Sequence, residues 1–245
     1  MHLAANTITL ISLARVLNAD IGGGAVAQLD DYDRSRYAAI NHPMARARFL
    51  TGRVLARITL SEATGYEIDG SAWHILPDAK GKPRITGPLP DVGISIAHTE
   101  DVVGVAVCAN GDVGLDLECL NDGENGEPVL EALSSADQRK LKTCAPEHRT
   151  REFVKLWTMK EAYAKWAGEG VGLDFGALDF DWVPRMARQS LMHGPVRIHQ
   201  YSMCFNKEFS VALASGDSCP PLIRFRNLEA SRLFAGEASC MYNFN

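Results

Sequence analysis

Acidic residues at two places in the sequence have the spacing of groups that could bind a metal ion. In the segment GLDLE, Asp116 and Glu118 lie two residues apart in a predicted strand, so both carboxylates project from one face. In the segment FVKLWTMKEAYAKWAGEG, Glu161 and Lys165 lie one helical turn apart. Three carboxylates form the oxygen-rich ligand set that Mg²⁺ prefers, and the lysine could reach a phosphate held by that ion. The pattern predicts phosphoryl-type transfer, in which positioning and charge neutralisation do most of the catalysis.

Each part of this pattern also has an ordinary structural interpretation. A D-x-E pair is common on the solvent face of a half-exposed strand, and a Glu–Lys pair at i, i+4 usually stabilises a surface helix by about 0.2–0.5 kcal/mol. Lys160 is harder to explain, because helical periodicity places it with Leu156 and Ala164 on the apolar side. We expect its ammonium group to pair with an acid or a carbonyl.

Two long helices and two β regions are predicted to position these residues. One helix extends from Pro43 to Gly65 and the other from Pro146 to Gly168 or Gly170, because proline suits a first turn and glycine suits a helix end. Alternating, β-branched segments bounded by turn residues indicate the strands. The predicted strands are about 92–97, 102–109 and 113–118, followed by the later segments PVRIHQYSM, EFSVALAS and LIRFR.

The order of these segments predicts an α+β fold of two similar halves related by internal duplication. The segment VAVCANGD, beginning at Val105, is echoed by VALASGD, beginning at Val211. Each half would be a long helix packed on an antiparallel sheet, with a ligand cleft between the halves. The predicted domains are 1–118 and 119–245, with the polar, turn-rich stretch 121–128 as the joint.

Composition and missing motifs argue against several classes of protein. The 245 residues are 46% hydrophobic with a net charge of −5, which is globular and unlike a nucleic-acid-binding protein. No apolar run reaches about 18 residues, so no membrane span is predicted. The six cysteines form no CxxC pair and the first residues lack a basic region, which together favour a reducing, cytoplasmic location. Walker A, GxGxxG, GxSxG and HExxH motifs are also missing.

Two segments together resemble the signature pair of the Sfp-type (group II) 4′-phosphopantetheinyl transferases. That pair reads G-(V/I)-D-(I/V)-E and W-(T/S)-x-K-E-(A/S)-x-x-K-x-x-G-x-G. Residues 157–170 match every fixed position of the second motif, and residues 114–118 differ from the first only in having leucine at both apolar positions. The segments GKP, SIAHTED and RARFLTGRVLAR resemble three further family segments in the expected order. The resemblance spans roughly residues 32–180.

The resemblance implies a Mg²⁺-dependent, monomeric enzyme. Such an enzyme transfers 4′-phosphopantetheine from coenzyme A to a serine of an apo acyl or peptidyl carrier protein and releases 3′,5′-ADP. Carried over by position, Asp116, Glu118 and Glu161 would hold the metal ion. Lys165 would neutralise the attacked phosphate, and Glu161 would take the proton from the serine, either directly or through a metal-bound water.

The resemblance also implies a set of coenzyme A contacts. Two positions depart from the family pattern, since Ala97 stands where serine is usual and Asp33 stands where a second basic residue is usual. Two alternatives stay open: a non-catalytic protein that binds coenzyme A or a carrier, and a Mg²⁺-dependent diphosphate hydrolase. The predicted coenzyme A-binding residues are Arg36, Arg48, Lys82, Ser95, His98, Asp116 and Lys165.

Overall fold

A computed structural model describes most of the chain and resolves it into two compact units. The first unit combines Met1–Asp112 with Cys219–Asn245, and the second is Val113–Ser218. Within the described ranges, no helix has both the length and the hydropathy that crossing a membrane requires. The described residues are 9–16, 22–87, 89, 91–109, 111–120, 129–204, 207–216 and 221–226.

The two long helices and all six predicted strand segments are confirmed, and the mixed α+β class with them. The helices are α1 (Gly22–Val26), α2 (Asp31–Ala39), α3 (Pro43–Ala63), α4 (Ser135–Thr143) and α5 (Pro146–Ala167). The strands are β1 (Leu10–Arg15), β2 (His74–Pro77), β3 (Pro83–Thr86), β4 (Gly93–Thr99), β5 (Val102–Cys108), β6 (Val113–Cys119), β7 (Arg188–His193), β8 (Val196–Cys204), β9 (Glu208–Ser215) and β10 (Leu222–Arg226).

The first unit packs α3 on a four-stranded sheet of order β10-β1-β5-β4. Proline in its first turn and the His42 side chain, which accepts a bond from the Ala45 N–H, begin α3. Buried Leu50 and Val54 on α3 join the core formed with Ile94 and other strand residues. β1 runs parallel to β10, so the prediction of a purely antiparallel sheet is wrong for this pair. In the sequence, residues 113–218 lie between β10 and the other strands of its sheet. No tight turn joins β10 to a neighbouring strand, so the antiparallel direction is not imposed on it.

The second unit packs α5 on the antiparallel sheet β6-β9-β8-β7. α5 ends at Gly168, whose φ of 70° is the left-handed conformation that glycine adopts readily. Gly114 on β6 lies against the α5 backbone, because an added Cβ there would meet the Ala162 carbonyl oxygen at 2.0 Å. This close approach brings the GLDLE strand directly against the WTMKEAYAK helix.

The division into units differs from the predicted domains 1–118 and 119–245. β6 belongs to the second unit because it pairs with β9 and packs on α5. β10 belongs to the first unit because it pairs with β1. The predicted joint at 121–128 lies outside the described residues, and the internal duplication and the cleft between halves stay predictions.

Candidate functional site

The acidic residues and the lysine of the two signature motifs meet within the second unit. Asp116 on β6 is 6% exposed, and its Oδ1 accepts a hydrogen bond from Lys165 Nζ on α5 at 2.6 Å. Its Oδ2 is buried and has no hydrogen-bond partner among the described residues. Half-buried Glu161, one turn before Lys165 on α5, is close enough to Asp116 for the two charges to interact. We call Asp116, Glu161 and Lys165 the acidic group.

The carboxylates of the acidic group are poorly stabilised as anions. Burial raises the pKa of Asp116, and the ammonium of Lys165 opposes that change. Burial also raises the pKa of Glu161; the negative charge of Asp116 raises it further, and Lys165 again opposes the change. Two crowded carboxylates therefore share one ammonium group, and a divalent cation would relieve both the crowding and the unpaired oxygen of Asp116.

Glu118 projects from the same face of β6 as Asp116 and is half-buried. Within the described part of the chain, however, no three His, Cys, Asp or Glu side chains are grouped closely enough to hold a metal ion. The predicted metal triad of Asp116, Glu118 and Glu161 therefore stays a prediction, and Asp116 pairs with Lys165. Asp116 and Glu161 fit a divalent cation by charge and by the unpaired oxygen, and Glu118 is the third candidate ligand from the same strand face.

A pocket of about 370 Å³ lies within the first unit, beside α3. Its chemistry is mixed, since the charged Arg48 and Arg53 stand beside the exposed imidazole of His98 and the aromatic ring of Phe49. Such a lining suits an anionic ligand that also carries an apolar or flat part. The pocket is lined by Ile40, Ala45, Arg48, Phe49, Gly52, Arg53, Pro77, Gly81, Pro83, Ile96 and His98.

Two predicted coenzyme A-binding residues, Arg48 and His98, line this pocket. The Nε of Arg48 donates to the Glu100 carbonyl at 2.7 Å, which fixes the guanidinium plane. Lys82 lies between two lining residues, but its side chain is 6% exposed and pairs with Asp112 at 3.0 Å. Burial lowers the pKa of Lys82, and the carboxylate of Asp112 opposes that change.

The structure does not bring Arg36 or Ser95 to the pocket. Arg36 lies in the last turn of α2 with an exposed side chain and is not a lining residue. Ser95 is buried on the face of β4 opposite to Ile96 and His98, because side chains alternate along a strand. The sequence already predicted this, because two residues that lie three positions apart in a strand project from opposite faces.

Asp33, which departs from the family pattern, is a fully buried ion-pair partner. It forms an ion pair with Arg53 at 2.9 Å and accepts a hydrogen bond from Arg57 at 2.8 Å, so it anchors α2 to α3. The same contact holds Arg53 at the pocket, where its guanidinium lies 5.0 Å from the Phe49 ring. Phe49 was missed from the sequence, although its i, i+4 spacing from Arg53 placed both on one helix face.

The model of the 4′-phosphopantetheinyl transferase superfamily matches residues 112–214 of the chain. These residues contain β6 and α5 with the whole acidic group and Glu118. Over these residues, which carry both signature motifs, the chain is similar to the 4′-phosphopantetheinyl transferase superfamily. This match supports the prediction, made from the signature motifs, that the protein is a 4′-phosphopantetheinyl transferase.

Curated relatives carry the same family name at low sequence identity. A 4′-phosphopantetheinyl transferase of Bacillus subtilis is 27% identical over 163 residues, which is 66% of this chain and 70% of that protein. The transferase HetI of Nostoc sp. is 26% identical over 59% of this chain and 62% of its own length. The transferase Sfp of Bacillus subtilis (strain 168) is 29% identical over 57% of this chain and 60% of its own length. Several matches therefore cover less than two thirds of the relative's length.

Lys160 of this transferase has the partners that its apolar position required. It is completely buried, and its Nζ lies 2.8 Å from Asp137 Oδ2. It also donates to the carbonyl oxygens of Phe175, at 3.0 Å, and Leu178. Burial lowers the pKa of Lys160, and the carboxylate of Asp137 opposes that change. The prediction of a paired ammonium group is confirmed, although its acidic partner was not identified from the sequence.

Proposed function

We propose that this transferase moves 4′-phosphopantetheine from coenzyme A to a serine hydroxyl of an apo acyl or peptidyl carrier protein, releasing 3′,5′-ADP, with Mg²⁺ as cofactor. The observation that carries the proposal is the acidic group, which unites both signature motifs around one unpaired carboxylate oxygen. The names of the relatives support phosphopantetheine transfer.

Asp116, Glu161 and Glu118 are the proposed ligands of the metal ion. When bound, Mg²⁺ supplies charge neutralisation to the diphosphate oxygens of coenzyme A. Lys165 lies next to Asp116 and supplies a second positive charge that can donate hydrogen bonds to a phosphate oxygen. These groups stabilise the negative charge that moves onto the leaving phosphate during transfer.

Glu161 is the proposed general base. Its carboxylate lies in the acidic group, within interaction distance of Asp116, and a carboxylate placed there can accept the proton of a serine hydroxyl bound beside it. The serine oxygen forms a bond to the phosphorus that carries the pantetheine, and the bond from that phosphorus to the bridging oxygen breaks. The electron pair of the broken bond leaves with 3′,5′-ADP, and the serine proton passes to Glu161.

The pocket of the first unit is the proposed binding place for an anionic part of coenzyme A. Arg48 and Arg53 offer planar guanidinium groups, which bind phosphate with two parallel hydrogen bonds. His98 adds a third polar contact on the same lining, and Phe49 adds an aromatic face. Arg36 and Ser95 are not included, since neither side chain reaches this lining.

Product analysis tests the proposal against its two alternatives. The release of 3′,5′-ADP is measured by chromatography. We expect this release to require an apo carrier protein whose acceptor serine is intact. Release without a carrier would indicate a diphosphate hydrolase, and coenzyme A binding without release would indicate a non-catalytic binding protein; either result contradicts the proposal. A cytoplasmic location and a monomeric state are part of the proposal, to be checked by cell fractionation and analytical ultracentrifugation.

A further inference from the structure

Lys160 joins three separate segments of the second unit through one buried ammonium group. Its Nζ binds Asp137 on α4 and the carbonyl oxygens of Phe175 and Leu178, in the segment that follows α5. It also lies 5.1 Å from the centre of the Phe180 ring. The ammonium group thus donates hydrogen bonds to two carbonyl oxygens and forms an ion pair with one carboxylate. A methionine or leucine of similar size would fill the space but would make none of these bonds.

The partner carboxylate is itself fixed from two further sides. Asp137 Oδ1 accepts from the indole Nε1 of Trp182 at 2.8 Å, and neither side chain is exposed. The backbone N–H of Asp137 donates to the hydroxyl of Ser134, the N-cap residue of α4. The ammonium of Lys160 therefore binds a rigid acceptor, and we call Lys160, Asp137 and Trp182 the buried clamp.

The buried clamp holds α5 on the side opposite to its contact with β6. Gly114 meets the helix at Ala162, and Ala162 lies two residues after Lys160. Two residues correspond to about 200° of rotation around a helix, so the clamp and the β6 contact lie on opposite sides. Glu161 lies on the flank between these two sides, in the turn that leads to Lys165. The β6 contact and the buried clamp together therefore fix how this turn is rotated about the axis of α5 and where it lies along that axis.

Stability alone does not explain a buried ion pair at this place. Removing two charges from water costs free energy that well-packed apolar side chains of similar volume avoid. The ammonium group adds a defined orientation, because its hydrogen bonds to the carbonyl oxygens of Phe175 and Leu178 fix angles as well as distances. The adjacent residue in the chain, Glu161, belongs to the acidic group.

We propose that Lys160 is a positioning residue of the transfer reaction, whose buried clamp holds α5 so that Glu161 and Lys165 are aligned with Asp116. Lys160 does not touch the reacting atoms; it acts through the helix. The inference rests on the proposed function for its kinetic readout, and on the clamp geometry alone for its structural readout.

Lys155 provides a matched control on the same helix. It is 3% exposed, pairs with Glu152 at 2.8 Å and donates to the Met186 carbonyl, so its loss also breaks a buried ion pair. Its partners lie outside the acidic group and the buried clamp. Lys155→Met should therefore destabilise the fold as Lys160→Met does, without moving Glu161.

The experiment measures transfer kinetics, at a temperature where every variant is folded, for the wild type, Lys160→Met, Lys155→Met and the milder Asp137→Asn. Because a displacement of about 1 Å at reacting groups costs about 100-fold in rate, we expect Lys160→Met to lower kcat by about that factor. Asp137→Asn should lower kcat less, and Lys155→Met should keep kcat within about threefold of wild type. KM for the carrier should stay at the wild-type value in all three variants.

Equal losses of kcat in Lys160→Met and Lys155→Met, or wild-type kcat in Lys160→Met, would overturn the positioning role. If Lys160→Met does not fold, the comparison of Asp137→Asn with Lys155→Met decides in the same way. Amide hydrogen exchange at residues 161–165 gives a readout that needs no substrate, and it should accelerate in Lys160→Met but not in Lys155→Met. If the wild-type protein shows no transfer activity, the proposed function is wrong. The hydrogen-exchange result would still test whether the buried clamp holds α5.

Discussion

Replacing Gly114 with alanine should separate the strand of the first motif from the helix of the second. The added Cβ would lie 2.0 Å from the Ala162 carbonyl oxygen and 2.3 Å from the Trp166 backbone nitrogen. A carbon–oxygen contact needs about 3.3 Å, so β6 and α5 must move apart by about 1.3 Å. Both close atoms belong to a helix backbone, which cannot turn aside as a side chain can.

The structural cost follows from this forced displacement. Overpacking typically costs about 1–3 kcal/mol, and we expect about 3 kcal/mol here because two rigid elements must shift. The gain of about 0.4–1 kcal/mol from the stiffer alanine backbone offsets only part of that loss. A net loss of about 2–3 kcal/mol lowers the melting temperature by about 4–12 °C for a chain of this size. Because Asp116 moves away from Glu161 and Lys165, transfer should fall by about 100-fold.

Thermal unfolding followed by circular dichroism and initial transfer rates test the Gly114→Ala prediction. Gly216→Ala is the matched control, since Gly216 is exposed after β9 and a Cβ there would meet nothing within 4 Å. The control should keep wild-type stability and rate. Wild-type melting temperature and rate in Gly114→Ala would refute the close contact between β6 and α5 and its role in the site.

Three further substitutions test separate groups. Glu161→Ala should abolish transfer but keep the circular dichroism spectrum of the fold, because it removes the proposed base; turnover at the wild-type rate would contradict that role. Arg48→Ala should raise KM for coenzyme A by about 10- to 100-fold, the usual worth of a charged hydrogen bond, while Arg36→Ala should not, in steady-state assays. Burial raises the pKa of Asp30, but the Asp33 N–H, His74 and Arg57 more than offset it and hold the pKa below its usual value. The ionised Asp30 therefore stabilises the fold above its unfolded pKa, and that contribution is lost as pH falls through the lower folded pKa. Asp30→Asn should thus lower the free energy of unfolding at pH 7 but not at pH 2, as measured by urea denaturation; an equal effect at both pH values would contradict the charge argument.

The elements of the fold could be predicted because their signals are local. Proline in the first turn and glycine at the end bound α5, and alternating β-branched residues mark β4 and β5. Pairing between distant segments has no such signal. The sequence therefore did not reveal that β10 pairs with β1, or that β6 leaves the first half to pair with β9.

The site was predictable in its residue types but not in its pairings. The spacing of Glu161 and Lys165 and the D-x-E pattern pointed to the strand and the helix that meet at Gly114. The pairing of Lys165 with Asp116 follows from the close approach of β6 and α5 at Gly114, which has no local signal in the sequence. The burial of Lys160 was readable from helical periodicity, whereas its partner Asp137 lies 23 residues away on another helix and had no local signal.

The intact mass of an apo carrier protein tests the central claim most directly. The carrier is incubated with coenzyme A, Mg²⁺ and the transferase, in parallel with the Glu161→Ala variant and with a carrier whose acceptor serine is alanine. The account predicts a mass gain of one phosphopantetheine group on the serine carrier with the wild-type enzyme, and no gain in the other two reactions. An unchanged carrier mass across acyl and peptidyl carriers, or an equal gain with Glu161→Ala, would contradict it.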